Sequence, residues 1–399
     1  MRLFRGRNFL LLWCGQLVSL LGDSIHHVAV MWWVYNATGS FNATAAIMIA
    51  VSLPYVLFGP FSGTLVDRLD RRSILVGSDL ARGGLLLLFA LLAYRGLLDT
   101  WSVVLLTFCL SSIATLFNPA VFAVLPSIVQ REDLVAANSV HEFSIELSKV
   151  IGPAIGGLLM AAYDLHMLFI INGLSFILSG ISECFIRLAP SEAERHEFFE
   201  DIRQGFRLFR EDGRLFELIL FFGVLNLFTV PLLVFIPYFA KDVYVRGAVG
   251  LGLMESAISI GLMAIAVTLT LWRREKDFKK VVIVPPLIIG CCYLVVGRLP
   301  GFSSTLILLA IIGASIGLLN ISMIAYFQRI VPAAFLGRFM GYLNVLVFAL
   351  QPCSYFLAGL LGGWVGPSVV LTSCGALICL LGLFAWWFPR FKGLAGQTI

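Results

Sequence analysis

Apolar residues run along this chain in blocks of about 20, the length an α-helix needs to cross a bilayer. Twelve such blocks are legible, near residues 9–35, 43–66, 73–94, 101–125, 137–162, 167–187, 216–240, 250–272, 281–298, 303–328, 337–362 and 367–388. The pattern predicts an all-α polytopic membrane protein with twelve transmembrane helices. The first block is too long for the core of a cleavable signal peptide and ends in bulky Trp32, Trp33, Val34 and Tyr35. It is therefore expected to stay as the first helix.

The long polar interval, roughly 188–215, divides six blocks from six. The expected organisation is an N-terminal six-helix bundle (1–190), a cytoplasmic linker (191–215) and a C-terminal six-helix bundle (216–399). Within the linker Phe198, Ile202, Phe206 and Phe209 recur at helical spacing among charges, as in an amphipathic helix lying on a membrane surface. The two halves echo each other at an offset near 200: "AVLPSIVQREDLVAANSV" parallels "AYFQRIVPAAFLGRFMGY". Six-helix repeats related in this way typify transporters that rock two bundles about a midplane site. No Gly-x-x-x-x-Gly-Lys phosphate loop occurs, so ATP is not the expected energy source.

Composition agrees: 13% of residues are charged, against about 25% in soluble proteins. Charge placement then sets an orientation, because cytoplasmic loops retain Lys and Arg. With the N-terminus cytoplasmic, 22 Lys and Arg fall on the inner side and four (Arg95, Lys241, Arg246, Arg298) on the outer. The protein is thus expected in the cell's inner (plasma) membrane, with both termini on the cytoplasmic side. The net charge of +5 follows from this bias and implies no nucleic-acid partner. All eight cysteines lie within apolar blocks without metal-ligand spacing, and serve as packing residues. The triplets beginning at Asn36 and Asn42 match a glycosylation sequon, but lie too near the membrane to be expected acceptors.

Three local patterns carry more specific chemistry. Between the second and third blocks stands "GTLVDRLDRRS", with Gly63, Asp67, Arg68, Asp70, Arg71 and Arg72. Gly63 would allow a close helix approach, Asp67 suits a helix N-terminus, and the arginines suit acids at helix ends. Such a cluster can latch a gate. In the fifth block "IGPAIGGLL" supplies Gly152, Pro153, Gly156 and Gly157, small residues for close packing and one Pro for bending. The first block contains "LLGDSIHHVAV", which sets Asp23, His26 and His27 in an apolar run.

The loop pattern is similar to the GxxxDRxGRR signature of the major facilitator superfamily, with Asp70 where most members have Gly. The fifth-block pattern resembles the GPxxGG core of that superfamily's antiporter motif, with Ser148 where the fuller pattern has Gly. Together with "RNFLLLWCGQLVSLLGD", "LPYVLFGPFSGTLVDRLDRR", "FNPAVFAVLPSIV" and "FQRIVP", the chain resembles the drug:proton antiporter branch that contains macrolide efflux proteins and siderophore exporters. The resemblance spans the whole chain and is denser in its first half. It implies export by alternating access, with the first helix of each three-helix unit lining a cavity. The fourth block lacks the Arg that other drug-exporting branches place there.

Ionisable residues inside apolar spans are expensive and mark functional or paired positions. Gln16, Ser19, Asp23 and His26 or His27 recur at steps of three or four and share a helix face. A carboxylate near an imidazole can pass a proton. In the fifth block Glu142, Glu146 and Lys149 form one stripe, with Lys149 about 18 Å along the helix and expected to be buried against Glu146. The expected proton-coupling set is Asp23, His26, His27, Glu142, Glu146 and Lys149. The expected substrate contacts are Gln16, Asp23, Asn118, Asn226, Asn320 and Asn344, with Gln328 and Gln351 as further polar candidates. Asp79 and Arg82 in the third block form an i,i+3 pair expected to be structural. Glu255 is the main acid of the second half's membrane region.

The expected function is export of an amphipathic small molecule, drug-like or macrolide-like, in exchange for protons. No enzyme activity, cofactor or resident metal is expected, and the protein is expected to work as a monomer. Three other readings are open: export of a defined metabolite such as a siderophore, lysophospholipid flipping, and divalent metal-ion transport through Asp23, His26 and His27.

Overall fold

A computed structural model describes residues 3–187, 213–271, 278–298, 301–331 and 349–387. Among these residues the chain is helical, with no strand. Eleven helices are long and apolar enough to cross a membrane. The first half contains α1 (Arg7–Thr38), α2 (Phe41–Arg68), α3 (Arg71–Tyr94), α4 (Thr100–Ile128), α5 (Leu134–Ala162) and α6 (Leu165–Glu183). The second contains α7 (Gly213–Thr229), α8 (Pro231–Tyr238), α9 (Gly247–Leu271), α10 (Phe278–Val296), α11 (Phe302–Ile330), α12 (Gln351–Val365) and α13 (Pro367–Trp387). The linker helix expected around Phe198–Phe209, and the first part of the eleventh apolar block, lie outside the described residues.

Helix ends follow local chemistry. No Pro or Gly–Pro step interrupts α1, which runs 32 residues, about 48 Å at 1.5 Å per residue. It stops at Gly39, whose φ of 60° is the left-handed conformation that glycine tolerates. Asp99 and Ser102 form a reciprocal capping box at the start of α4. The expected block 216–240 is broken in two. Pro231 has no N–H, so the Leu227 carbonyl loses its partner one turn earlier. The Ser354 hydroxyl donates to that carbonyl at 2.6 Å. The Tyr293 hydroxyl donates to the Thr229 carbonyl at the same break.

The described chain divides into two compact units, one built on α1–α6 and one on α7–α13, apart from short segments at the starts of α2 and α9. Lipid tails are as apolar as leucine, so helices in a bilayer associate through close packing and polar contacts. The first unit follows this rule. Its α1 packs against α4, α5 and α6, and α3 runs antiparallel along α6. Phe9, Leu12, Val66, Leu75, Phe117 and Val124 form one buried apolar cluster at the N-terminal end of α1.

Glycines set the spacing. A Cβ at Gly22 would overlap the Asn172 amide and sit 2.6 Å from the Ser175 hydroxyl; one at Gly15 would sit 2.6 Å from the Ser182 hydroxyl. These two positions lie seven residues apart, on one face of α1, and admit α6. On another face, Gly152 fits against Ser24, and a Cβ at Gly156 would sit 3.0 Å from the Ile25 backbone. The fifth-block glycines thus press α5 onto α1 within two residues of Asp23. Ser148, in the place of a further glycine, fits because its hydroxyl folds back onto the Ile145 carbonyl at 2.7 Å.

Candidate functional site: a charged cavity in the first unit

Asp23 lies near the middle of α1, about 24 Å from its start by helical rise. Its side chain is accessible because it opens into a cavity of about 200 Å³ among α1, α2, α3 and α4. Val30, Ile47, Val51 and Leu110 supply the apolar wall, and Tyr55, Thr107 and Ser111 the neutral polar groups. The charged or titratable groups of the wall are Asp23, His26, His27 and Arg82. Asn172, held close by Gly22, donates its Nδ2–H to Asp23 Oδ1 at 3.4 Å. Arg82 and His27 act on the Asp23 carboxylate electrostatically.

The two histidines differ. The His26 ring is 8% exposed and packs against Phe169 at 5.2 Å between ring centroids, leaving Nδ1 buried with no acceptor or donor. His27 is half-buried and belongs to the electrostatic surroundings of Asp23. Of the two, His27 is the one whose charge acts on the carboxylate.

Arg82 reaches past its own helix. Its guanidinium carbon sits 4.8 Å from the centroid of Phe117 on α4 and 5.0 Å from that of Phe176 on α6. Aromatic faces attract a cation and replace part of the hydration that the side chain has lost. Arg82 is only 5% exposed, yet it still lines the cavity. Spacing along α3 suggested a local pair with Asp79; the fold makes Arg82 the cation shared by the cavity and the α3–α6 seam.

Other expected positions are distributed more widely. Gln16 is buried, with Nε2 unpartnered, and lies outside the cavity wall. Lys149 and Glu146 form the anticipated pair, at 2.7 Å, but the Lys149 side chain is 53% exposed. The depth expected for it fails because distance along a helix does not say which way a side chain faces. Glu142 is exposed, and neither acid of this stripe borders the cavity. Asn118 is exposed on α4, beside Tyr55. Asn344 lies outside the described residues.

In the second unit a cavity of about 230 Å³ forms at the α7–α8 break, with Asn226, Asn320, Gln351, Tyr293 and Tyr355 among aliphatic side chains. Asn226 and Asn320 thus share one cavity although 94 residues separate them by number. Among the described residues no group of three or more His, Cys, Asp or Glu is arranged to hold a metal ion.

The loop between α2 and α3 shows some of the expected residues at work. A Cβ at Gly63 would meet nothing within 4 Å, so no helix is admitted there. Arg68 is exposed, and the Asp67 side chain lies outside the described structure. Arg71 donates to the Ala123 carbonyl of α4 at 3.1 Å, and Arg72 to the Cys184 carbonyl just past α6. These two contacts reach carbonyls toward helix C-terminal ends, where the dipole is negative. Asp70 is the N-cap of α3, accepting from the Ser73 amide at 2.9 Å and its hydroxyl at 2.6 Å. Its φ of −63° needs no glycine. These Ser73 bonds hold its carboxyl below the usual carboxylate range. Because folding lowers this pKa, the cap contributes fully above the unfolded value near 4 and is lost as pH falls through the folded one. Asp70→Ala is expected to lower unfolding free energy by about 1 kcal/mol at neutral pH. The loss should vanish in thermal melts at strongly acid pH.

Gly63→Ala gives a contrasting expectation. With open space around the site, thermal stability should hold or rise by up to about 1 kcal/mol from helix propensity. A transport defect in that stable variant would mean that Gly63 meets a neighbour only in another conformation of the cycle.

The chain matches the family described as transmembrane secretion effector over residues 2–393. Macrolide efflux protein A of Streptococcus pyogenes is 26% identical over 387 residues, covering 93% of this chain and 95% of that protein. The multidrug efflux pump Tap of Mycolicibacterium fortuitum is 26% identical over 404 residues, covering 98% and 97%. A solved bacterial homologue of the iron transporter ferroportin aligns with a TM-score of 0.71 at 17% identity, covering 99% of this chain and all of that one. At that identity the likeness is one of fold.

Proposed function

The chain belongs to the transmembrane secretion effector family of the major facilitator superfamily, transporters and not enzymes, and from that premise we propose that it exports an amphipathic small molecule in exchange for protons. The observation that carries this reading is the Asp23 carboxylate, open to a cavity within apolar helices and faced by Arg82 and His27. A protonatable acid there couples to transport if its two charge states favour different conformations. The relatives named for macrolide and multidrug efflux support an apolar, drug-like cargo. The second unit's cavity suits such a cargo: aliphatic walls bury its apolar body, and the Asn226 and Asn320 amides orient its polar groups.

In this mechanism the two termini face the cytoplasm, as the 22-to-four distribution of Lys and Arg favours. Gly152 and Gly156 let α5 slide on α1 beside Asp23. The Arg71 and Arg72 contacts to helix carbonyls act as a latch that one conformation makes and the other breaks. Gly157, buried on the neighbouring face of α5, belongs to the same packing motif.

The test is export from proteoliposomes under an imposed pH gradient, with a macrolide, a cationic dye, a siderophore, a lysophospholipid and a divalent cation as cargoes. Macrolide or dye export that follows the gradient is the expected result. Export of the siderophore, the lysolipid or the cation alone would replace the cargo assignment. Asn320→Ala is expected to raise the half-saturating macrolide concentration about 5–10-fold, the loss of roughly one hydrogen bond, with the maximal rate little changed.

A further inference from the structure

Behind Arg82, away from the cavity, two acids are sealed between α3 and α6. Asp79 and Glu183 are both fully buried, and none of their four carboxyl oxygens has a hydrogen-bond partner. They lie one turn apart along the packed helices: a Cβ at Gly180 would sit 3.3 Å from the Asp79 Cβ, and Glu183 follows one turn later on α6. Asp79 acts on Glu183 electrostatically. The helices meet this closely because of glycines, with a Cβ at Gly83 placed 2.9 Å from the Gly173 carbonyl. Two further polar groups here are also unpartnered: Arg82 Nε and the fully buried Ser179 hydroxyl, which adjoins Asp79.

Two carboxylates in an apolar seam repel each other, and the neutral donor beside Asp79, the Ser179 hydroxyl, replaces little of the lost water. One proton removes the repulsion and turns one carboxyl into a donor for the other or for Ser179. We propose that Asp79 and Glu183 form a second proton-binding site, a carboxyl pair that holds one exchangeable proton behind the cavity and communicates with Asp23 through Arg82.

The surrounding charges fit this assignment. From α1 the charged and titratable groups are Asp23, His26, His27 and, at its start, Arg7; Arg187 follows the end of α6. The other charged residues of α3 near the seam are Arg82 and, at its start, Arg71 and Arg72. From α4 no charged group approaches, only the Phe117 ring on Arg82. On α5 the charges are the Glu142, Glu146 and Lys149 stripe, with His141. Among the described residues Arg82 is the cation that acts on all three acids, Asp23, Asp79 and Glu183. When Asp23 is ionised it draws on that positive charge, and the pair keeps its proton. When Asp23 is protonated, the guanidinium stabilises the ionised pair, which releases H⁺ to water at the end of α6.

The coupling part of this inference rests on proton-driven export; the presence of the proton does not. Infrared spectra of the full-length protein in nanodiscs should show, at neutral pH, the C=O stretch of a protonated carboxyl that shifts in D2O. Glu183→Gln or Asp79→Asn should remove it. A wild type without the band, or a band retained in both variants, would overturn the assignment; a retained band belongs to another acid, Asp23 foremost. In proteoliposomes, Asp79→Asn should lower the protons moved per substrate by one while export continues. An unchanged ratio overturns the coupling to Asp23. Should wild-type export ignore the pH gradient while the band is present and mutation-sensitive, proton-driven export fails and the buried proton site stands.

Discussion

Asp23→Asn is expected to abolish uphill, gradient-driven export while leaving downhill movement of substrate measurable. The amide keeps the size of the side chain and its contact with Asn172, but cannot take up or release a proton. Arg82 then faces a cavity without its anion, and one occupied state replaces two. Coupling between two sites is typically worth 1–3 kcal/mol, or about 5–150-fold in affinity. In wild type, the substrate affinity measured on each side of the membrane should therefore depend on pH by a factor in that range. In the variant the dependence should flatten to within about twofold. Asp23→Glu, which keeps the titrating group on a longer arm, should recover part of the pH dependence and little of the rate. Full gradient-driven export by Asp23→Asn would remove the residue from the mechanism.

Gly22→Leu is expected to have the largest effect on stability. Its Cβ would overlap the Asn172 amide oxygen, and the rest of the side chain would enter the α1–α6 interface. Overpacking a close helix contact costs typically 1–3 kcal/mol and sometimes more. Here the alternative is to push α6 away, which also separates Asn172 from Asp23. The measurement is thermal unfolding in detergent, with Gly84→Leu as the comparison, since a Cβ at Gly84 meets nothing within 4 Å. A large loss at Gly22 and a small one at Gly84 is the expected outcome. Equal losses would mean that the α1–α6 approach is looser than described.

These expectations draw unequally on sequence. Asp23 was legible because a single acid in the middle of an apolar block has few neutral explanations. Its helix and its face follow from spacing, whereas the glycines packed around it emerge only from the fold. The partners across helices do not, because period 3.6 shows which residues share a face and says nothing of what that face meets. Arg82 illustrates this: Asp79 at i−3 suggested a local pair, while the rings of Phe117 and Phe176 and the cavity lie on other helices. Glu183 gave no signal at all. Near Arg187, at the end of an apolar block, it has the look of an interfacial residue, yet the α3–α6 approach buries it completely. Lys149 fails in the opposite sense, deep by count along α5 and half exposed by direction. The loop glycine Gly63 matches a family pattern without making the contact that the pattern suggests. Pro231 lies inside a block expected to run unbroken over 216–240, and both its break and the hydroxyls of Tyr293 and Ser354 that repair it are known only from the fold.

The central claim is that substrate export and proton entry are one cycle. It is tested most directly by reversing the usual assay: liposomes holding the wild-type protein and a pH-sensitive dye, with no pH gradient imposed, receive a macrolide gradient. The mechanism predicts that substrate moving down its gradient drives protons in the opposite direction, with the dye signal absent in Asp23→Asn. Substrate flux through the wild type with no proton movement would contradict it.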